Sequence, residues 1–207
     1  MQILRNFAVF EGGDGSGTST QLHLLENKLA AMQFPFYVTS EPTDGIIGQL
    51  IRRALKKEFV LQPQTMARLF AADRGEHLYA RNGIVERCMQ GNLVACDRYI
   101  LSSLAYQGIE CGEELPGALN SAFPLPYLLI FFDLDPETAI KRIEGRPSLD
   151  IYEHIEFQEK VRKLYHAKLQ EFKEAGVRIA IVDASQNMEK VFAEVWRYVS
   201  DMPIFKK

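Results

Sequence analysis

The residues most able to do chemistry stand together near the start of the chain. Positions 11–21 read EGGDGSGTSTQ. Gly12 and Gly17 have the spacing of the phosphate-loop pattern G-x-x-x-x-G-K-[ST], and Ser19 stands where the magnesium-binding hydroxyl belongs. Gly12, Gly13, Gly15 and Gly17 let the backbone turn its N–H groups toward one anion. A helix starting near Thr18 adds the positive end of its dipole, and Ser19 and Thr20 supply hydroxyls. The chemistry implied is the holding of phosphate groups. The competing reading is a glycine-rich strand-to-helix turn that binds nothing. One residue breaks the pattern: Thr18 stands where a lysine would bring charge to the β- and γ-phosphates. Its absence bears on catalysis more than on phosphate binding.

A phosphate loop needs a buried strand before it and an amphipathic helix after it. NFAVFE precedes it, and Leu22, Leu25, Leu29 and Met32 follow at helical spacing. Four more apolar runs of strand length recur: PFYVTSE, NLVACD, YLLIFFD and VRIAIVD. Such runs fit strands buried on both faces of a parallel sheet. Helical patterns fall between them, as at Ile47, Leu50, Ile51 and Leu55 and at Val161, Leu164, Tyr165 and Leu169. The order β-α-β-α-α-β-α-β-α-α-β-α predicts an open α/β sheet with right-handed crossovers. The runs end in acids: Glu11, Glu41, Asp97, Asp133 and Asp183. Ligands of such sheets bind outside the carboxyl ends of the strands, so these acids are candidates for magnesium or ligand hydroxyls. About half of such acids are expected to be plain helix N-caps instead, as Asp135 is before Pro136.

Composition narrows the partners. The chain has 207 residues, 25% of them charged, and a net charge of −3. No basic footprint calls for nucleic acid, so an anion site must be locally positive. Cys88, Cys96 and Cys111 form no CxxC pair and are read as reduced cytosolic thiols. The N-terminal run lacks the length and cleavage site of a signal peptide, and no run approaches a membrane span. No repeat or linker appears, so one domain is expected.

Six segments, in order, resemble the thymidylate kinases, which transfer the γ-phosphoryl group of ATP to dTMP. They are FAVFEGGDGSGTSTQ, SEPTDGIIGQLIR, RLFAADRGEH, DRYILSSLAYQG, FFDLDPETAIKRI and GRPSLDIYE. DRYILSSLAYQG is the most specific of them. The resemblance covers most of the chain. It implies a P-loop NTPase-like, three-layer α/β/α domain over residues 1–207, with a five-stranded parallel sheet flanked by helices and a short lid at about 142–153. It also implies ATP and dTMP as substrates, Mg2+ as cofactor, a homodimer and a cytoplasmic location. Neither nucleic acid nor membrane is an implied partner.

Residue by residue, the resemblance assigns ATP to Gly12, Gly13, Asp14, Gly15, Ser16, Gly17, Thr18, Ser19 and Thr20, with Arg142 on the adenine. Magnesium falls to Ser19 and Asp97. For dTMP, the thymine ring would stack on Phe70, with Arg74 four residues on donating to a base carbonyl. Pro42, after Glu41, would pack near the thymine methyl, while Ser103 and Gln107 would line the base edge. Asp14 would take the 3′-OH and Tyr106 the space of a ribose 2′-OH. Arg98 fits the monophosphate, because a guanidinium meets phosphate oxygens bidentately. Three cations of the family pattern are absent: Thr18 replaces the lysine, Ser40 an arginine and Ile151 a lid arginine. Arg146 then becomes the candidate for transition-state charge, beside Arg98 and Asp97 as catalytic residues. Two rivals remain open: a kinase for another pyrimidine nucleotide, and a catalytically weakened nucleotide sensor.

Overall fold

Along β1 (Ile3–Gly12) successive side chains leave on opposite faces, and both faces are covered. Phe7 and Val9 enter one core, Ala8 and Phe10 the other. The computed structural model describes residues 2–143 and 155–206. Its sheet is wholly parallel, in the order β2-β3-β1-β4-β5, with β2 at Phe36–Ser40, β3 at Leu93–Asp97, β4 at Leu125–Asp133 and β5 at Arg178–Asp183. The five expected strands are all present. Burial on both faces holds for β1, β3 and β4. It does not hold at the edges: all of β2 is half-buried, and Ile181 of β5 is half-exposed.

One face of the sheet carries α1 (Thr18–Ala31) and α9 (Met188–Val199), through Leu22, Leu25, Leu29, Val191, Val195 and Val199. The other carries α3 (Pro63–Tyr79), α4 (Ile84–Met89), α5 (Ile100–Cys111) and α8 (Ile155–Glu174). Helix α2 (Ile46–Leu55) packs on α3 around Ile51, Ala54 and Met66. Two short helices, α4 and α6 (Glu114–Asn120), were not expected from the sequence. Met32 and Leu50, expected on apolar faces, are instead exposed. Met32 follows the last turn of α1, and α2 buries only a narrow stripe against α3. Asp135 caps α7 (Pro136–Ile143) as expected, accepting from the Thr138 amide at 2.9 Å.

The topology opens the site. Helix α1 leaves β1 toward one face, and α5 leaves the neighbouring β3 toward the other. The carboxyl ends of these two strands therefore part into a crevice. Arg142 falls in the last turn of α7 rather than in a lid. The rest of the expected lid, with Arg146 and Ile151, lies outside the described residues.

Candidate active site

The loop after β1 is held by backbone geometry. Ser16 N donates to Gly13 O at 3.2 Å, and Gln21 N to Gly17 O at 3.0 Å. A Cβ on Gly12 would lie 2.5 Å from Ser16 Oγ and 3.1 Å from the Phe132 carbonyl, so a larger residue there would have to displace Ser16. Gly17 has φ +90°, a left-handed conformation that L side chains rarely adopt. It is also the N-cap of α1, where no side chain caps the helix and no acid occupies the first turn. The helix start thus keeps amide donors for an anion. Thr18, at the first helical position, is buried, while Ser19 and Thr20 are exposed.

Across the crevice, β3 ends in Asp97, and Arg98 follows it. Ser19 Oγ donates to Asp97 Oδ2 at 2.5 Å. Asp97 Oδ1 is buried and has no hydrogen-bond partner. This hydroxyl–carboxylate pair, with an unused carboxylate oxygen, is the all-oxygen donor set that suits magnesium. The Arg98 guanidinium spans the loop. Its Nη1 donates to Gly12 O at 3.0 Å, and Nη2 to Asp14 Oδ1 at 2.6 Å. Asp14 Oδ2 in turn accepts from Gln158 Nε2 at 2.8 Å and from the Tyr106 hydroxyl at 3.2 Å. Burial pushes the Tyr106 phenol above its ordinary range, so it stays a protonated donor. The Tyr106 ring also lies 5.2 Å from the Arg98 guanidinium carbon.

A second lattice hangs from α3. Glu41 Oε2 accepts from Arg74 Nε at 2.9 Å and Nη2 at 2.6 Å. Both side chains are almost wholly buried. Arg74 also donates to Asn120 Oδ1 and, at 3.1 Å, to Ser103 Oγ. His77 Nδ1 meets Glu41 Oε1 at 3.0 Å, while its Nε2 meets the Thr39 hydroxyl at 2.7 Å. A carboxylate only accepts, so Nδ1 is the donor in that contact. Asp73 completes the clamp: it accepts from Thr43 N at 2.7 Å and Thr43 Oγ1 at 2.6 Å. Asp73, Arg74 and His77 thereby fix the Glu41–Thr43 turn from one helix.

One cleft of about 1310 Å³ joins these parts. Gly13, Asp14, Gly15, Ser16, Gly17, Thr18, Ser19 and Thr20 line it, as do Glu41, Pro42, Phe70, Arg74, Asp97, Arg98, Ser103, Tyr106, Gln107 and Arg142. Gly12 sits behind the lining, against Ser16 and β4. Gln107 Oε1 is buried without a partner, leaving an acceptor unused at the cleft wall. Of the five strand-end acids, only Asp97 and Glu41 reach the cleft. Asp133 pairs with Arg162 at 2.7 Å, and Asp183 accepts from the Ser185 amide at 2.9 Å. Glu11 turns inward and is wholly buried. Burial pushes its carboxyl up to about 7, against hydrogen bonding from Ser102 and the field of Arg98.

Sequence reasoning missed His77, Asp73, Asn120 and Gln158. His77 stands three residues after Arg74 on the same helix, and that spacing was the available signal. Gln158 carried none, since its partner Asp14 is 144 positions away. Among the described residues no cluster of three or more His, Cys, Asp or Glu could hold a metal, and Cys88, Cys96 and Cys111 are free thiols. No described helix is long and apolar enough to cross a membrane.

Comparison with known proteins agrees with this architecture. The family model for thymidylate kinase matches residues 10–195. A putative thymidylate kinase of Treponema pallidum is 39% identical over 204 residues, covering 97% of this chain and 98% of that protein. A probable thymidylate kinase of Pyrobaculum aerophilum is 40% identical over 201 residues, covering 97% and 99%. The thymidylate kinase of Anoxybacillus flavithermus is 34% identical over 212 residues, covering 97% and 98%. With a phosphate loop, an Asp-Arg strand end and a match that spans nearly its whole length, the chain belongs to the thymidylate kinase family.

Proposed function

We propose that the protein transfers the γ-phosphoryl group of ATP to dTMP, giving ADP and dTDP, a step of dTTP synthesis. The observation that carries this reading is the single cleft, which joins an amide-rich phosphate loop to a wall bearing Phe70, Arg74, Arg98 and Tyr106. Phosphoryl transfer asks a protein for positioning and charge neutralisation rather than covalent chemistry. An oxygen of the dTMP phosphate forms the new P–O bond as the β–γ bridge of ATP breaks, and the electron pair leaves with ADP.

The residues divide that work. Loop amides from Gly13 to Thr20 hold the ATP phosphates, and Arg142 covers the adenine. Ser19 and Asp97 would hold magnesium, which neutralises charge on the transferring group. Arg98 orients the dTMP phosphate toward the loop from its bridge between Gly12 and Asp14. Phe70 stacks on the base. Arg74, held by Glu41, faces a base carbonyl beside Ser103 and Gln107, and Pro42 abuts the methyl. Asp14 receives the 3′-OH. Arg146 supplies transition-state charge in place of the missing lysine. The same reading includes a homodimer and a cytoplasmic location, both supported by family membership alone.

Tyr106 gives the reading a test of specificity. Its ring would occupy the room a ribose 2′-OH needs, so dTMP should turn over far faster than the ribose form. Tyr106→Ala should narrow that gap, which a steric pocket sets at ~1–3 kcal/mol. Equal kcat/KM for both sugars in the wild type would refute the assignment.

A further inference from the structure

We infer that Glu11, which touches neither loop ligand nor cleft, is a positioning residue for Arg98. This rests on the proposed role of Arg98 at the acceptor phosphate. Four non-glycine residues among those described have positive φ: Gln33, Lys57, Asn82 and Arg98. The first three are exposed, and Gln33 and Lys57 close the ends of α1 and α2. Arg98, at φ +66°, instead stands between a fully buried strand and a buried helix. A long side chain in the left-handed region is strained, and such a conformation persists only where its surroundings over-determine it.

Glu11 supplies that determination. Arg98 N donates to Phe10 O at 2.9 Å, which fixes the residue on its β1 side. The next amide, Tyr99 N, donates to Glu11 Oε1 at 2.9 Å, and Ser102 N reaches the same oxygen at 3.3 Å. Tyr99 is the N-cap of α5 and caps nothing with its own side chain. The carboxyl oxygen of Glu11 therefore caps α5 from the neighbouring strand, satisfying amides left open at a helix start. Its Oε2 accepts from Ser102 Oγ at 2.5 Å and from the Tyr165 hydroxyl at 3.3 Å. Ser102 Oγ and Tyr165 OH are themselves 2.7 Å apart. One buried side chain thus ties β1, the start of α5 and α8 together, holding the amide next to the residue whose backbone is strained. Removing it frees the Tyr99 amide and lets the 98–99 link relax, which swings the guanidinium off the loop.

The test is a double-mutant cycle between Glu11→Ala and Arg98→Ala. It is read as kcat/KM for dTMP and as dTMP and ATP affinities by titration. Glu11→Ala should lower kcat/KM for dTMP by about 10²-fold, the cost of a misplacement near 1 Å, while ATP affinity holds. The double variant should stay within about threefold of Arg98→Ala, since a residue acting through Arg98 has nothing left to lose. Glu11→Gln, which keeps an acceptor toward the two amides, should recover most of the loss. Should Glu11→Ala not fold, Glu11→Asp, whose carboxylate is withdrawn by one methylene, carries the same cycle. Additive losses, equal weakening of ATP and dTMP, or a glutamine variant no better than alanine would each overturn the inference. The affinity arm needs no turnover. A wild type that binds dTMP but forms no dTDP would refute the kinase reading and leave the affinity cycle to decide the role of Glu11.

Discussion

The two halves of the cleft are built in different materials. The half proposed to hold ATP is backbone: loop amides, a free helix start and two glycines, one where a side chain would crowd Ser16 and one where it would be strained. The half proposed to hold dTMP is a lattice of side chains, in which Arg74, Glu41, His77 and Thr39 form one chain of contacts and Arg98, Asp14, Tyr106 and Gln158 another. A backbone site loses little when one side chain changes, because its donors belong to the fold. A buried lattice fails when one member leaves, because its neighbours remain desolvated and unpaired. The absence of a lysine at Thr18 falls on the tolerant half.

The contrast breaks most readily at Arg98. Arg98→Ala should lower kcat/KM for dTMP by ~10³, with ATP affinity unchanged, and Arg98→Lys should restore only part of it. Nucleotide titrations showing ATP weakened and dTMP untouched would reverse the assignment of the two halves. Glu41→Gln comes next. It leaves the Arg74 cation buried with a neutral partner, and breaking such a pair costs about 3–5 kcal/mol. Denaturant unfolding checks it: a midpoint equal to the wild type would mean that Arg74 does not depend on Glu41.

Glu11 sharpens the comparison through pH. Its folded-state carboxyl titrates at about 7 against an ordinary value of 4.5, so the folded protein holds a proton that the unfolded chain has released. That contribution to stability is complete below pH 4.5, is lost as pH rises toward 7, and is flat above. The shift amounts to about 3 kcal/mol. Glu11→Gln should therefore unfold with little dependence on pH from this site and exceed the wild type at pH 8. Identical pH–stability curves for the two proteins would contradict the buried carboxyl.

The same division decides what the sequence discloses. Strands β1, β3 and β4 are legible because both faces are covered, which leaves near-continuous apolar runs. The loop is legible because its geometry demands glycine at fixed spacing. Helices α4 and α6 are not, since six and seven residues are too few to display an apolar period. The side-chain lattice is only half legible. Phe70, Arg74 and Arg98 stand out by type and place, but the partners that hold them come from distant parts of the chain: Glu41 with Arg74 across 33 positions, Asp14 with Gln158 across 144. Glu11 is ambiguous for the opposite reason, since a strand-end acid reads equally as a ligand or as a helix cap. Its side chain turns inward to cap a helix from another element.

The most direct test concerns the half that lacks its lysine. Initial rates of dTDP formation would be measured at saturating MgATP and dTMP for the wild type and for Thr18→Lys. If amides, the helix dipole, magnesium at Ser19 and a lid arginine already supply the field, the wild type is an active kinase. Thr18→Lys should then gain no more than about threefold or lose activity, because the new ammonium competes with what already neutralises the phosphates. A wild type that forms no dTDP, with a large gain in Thr18→Lys, would contradict this and mark the chain as a nucleotide sensor.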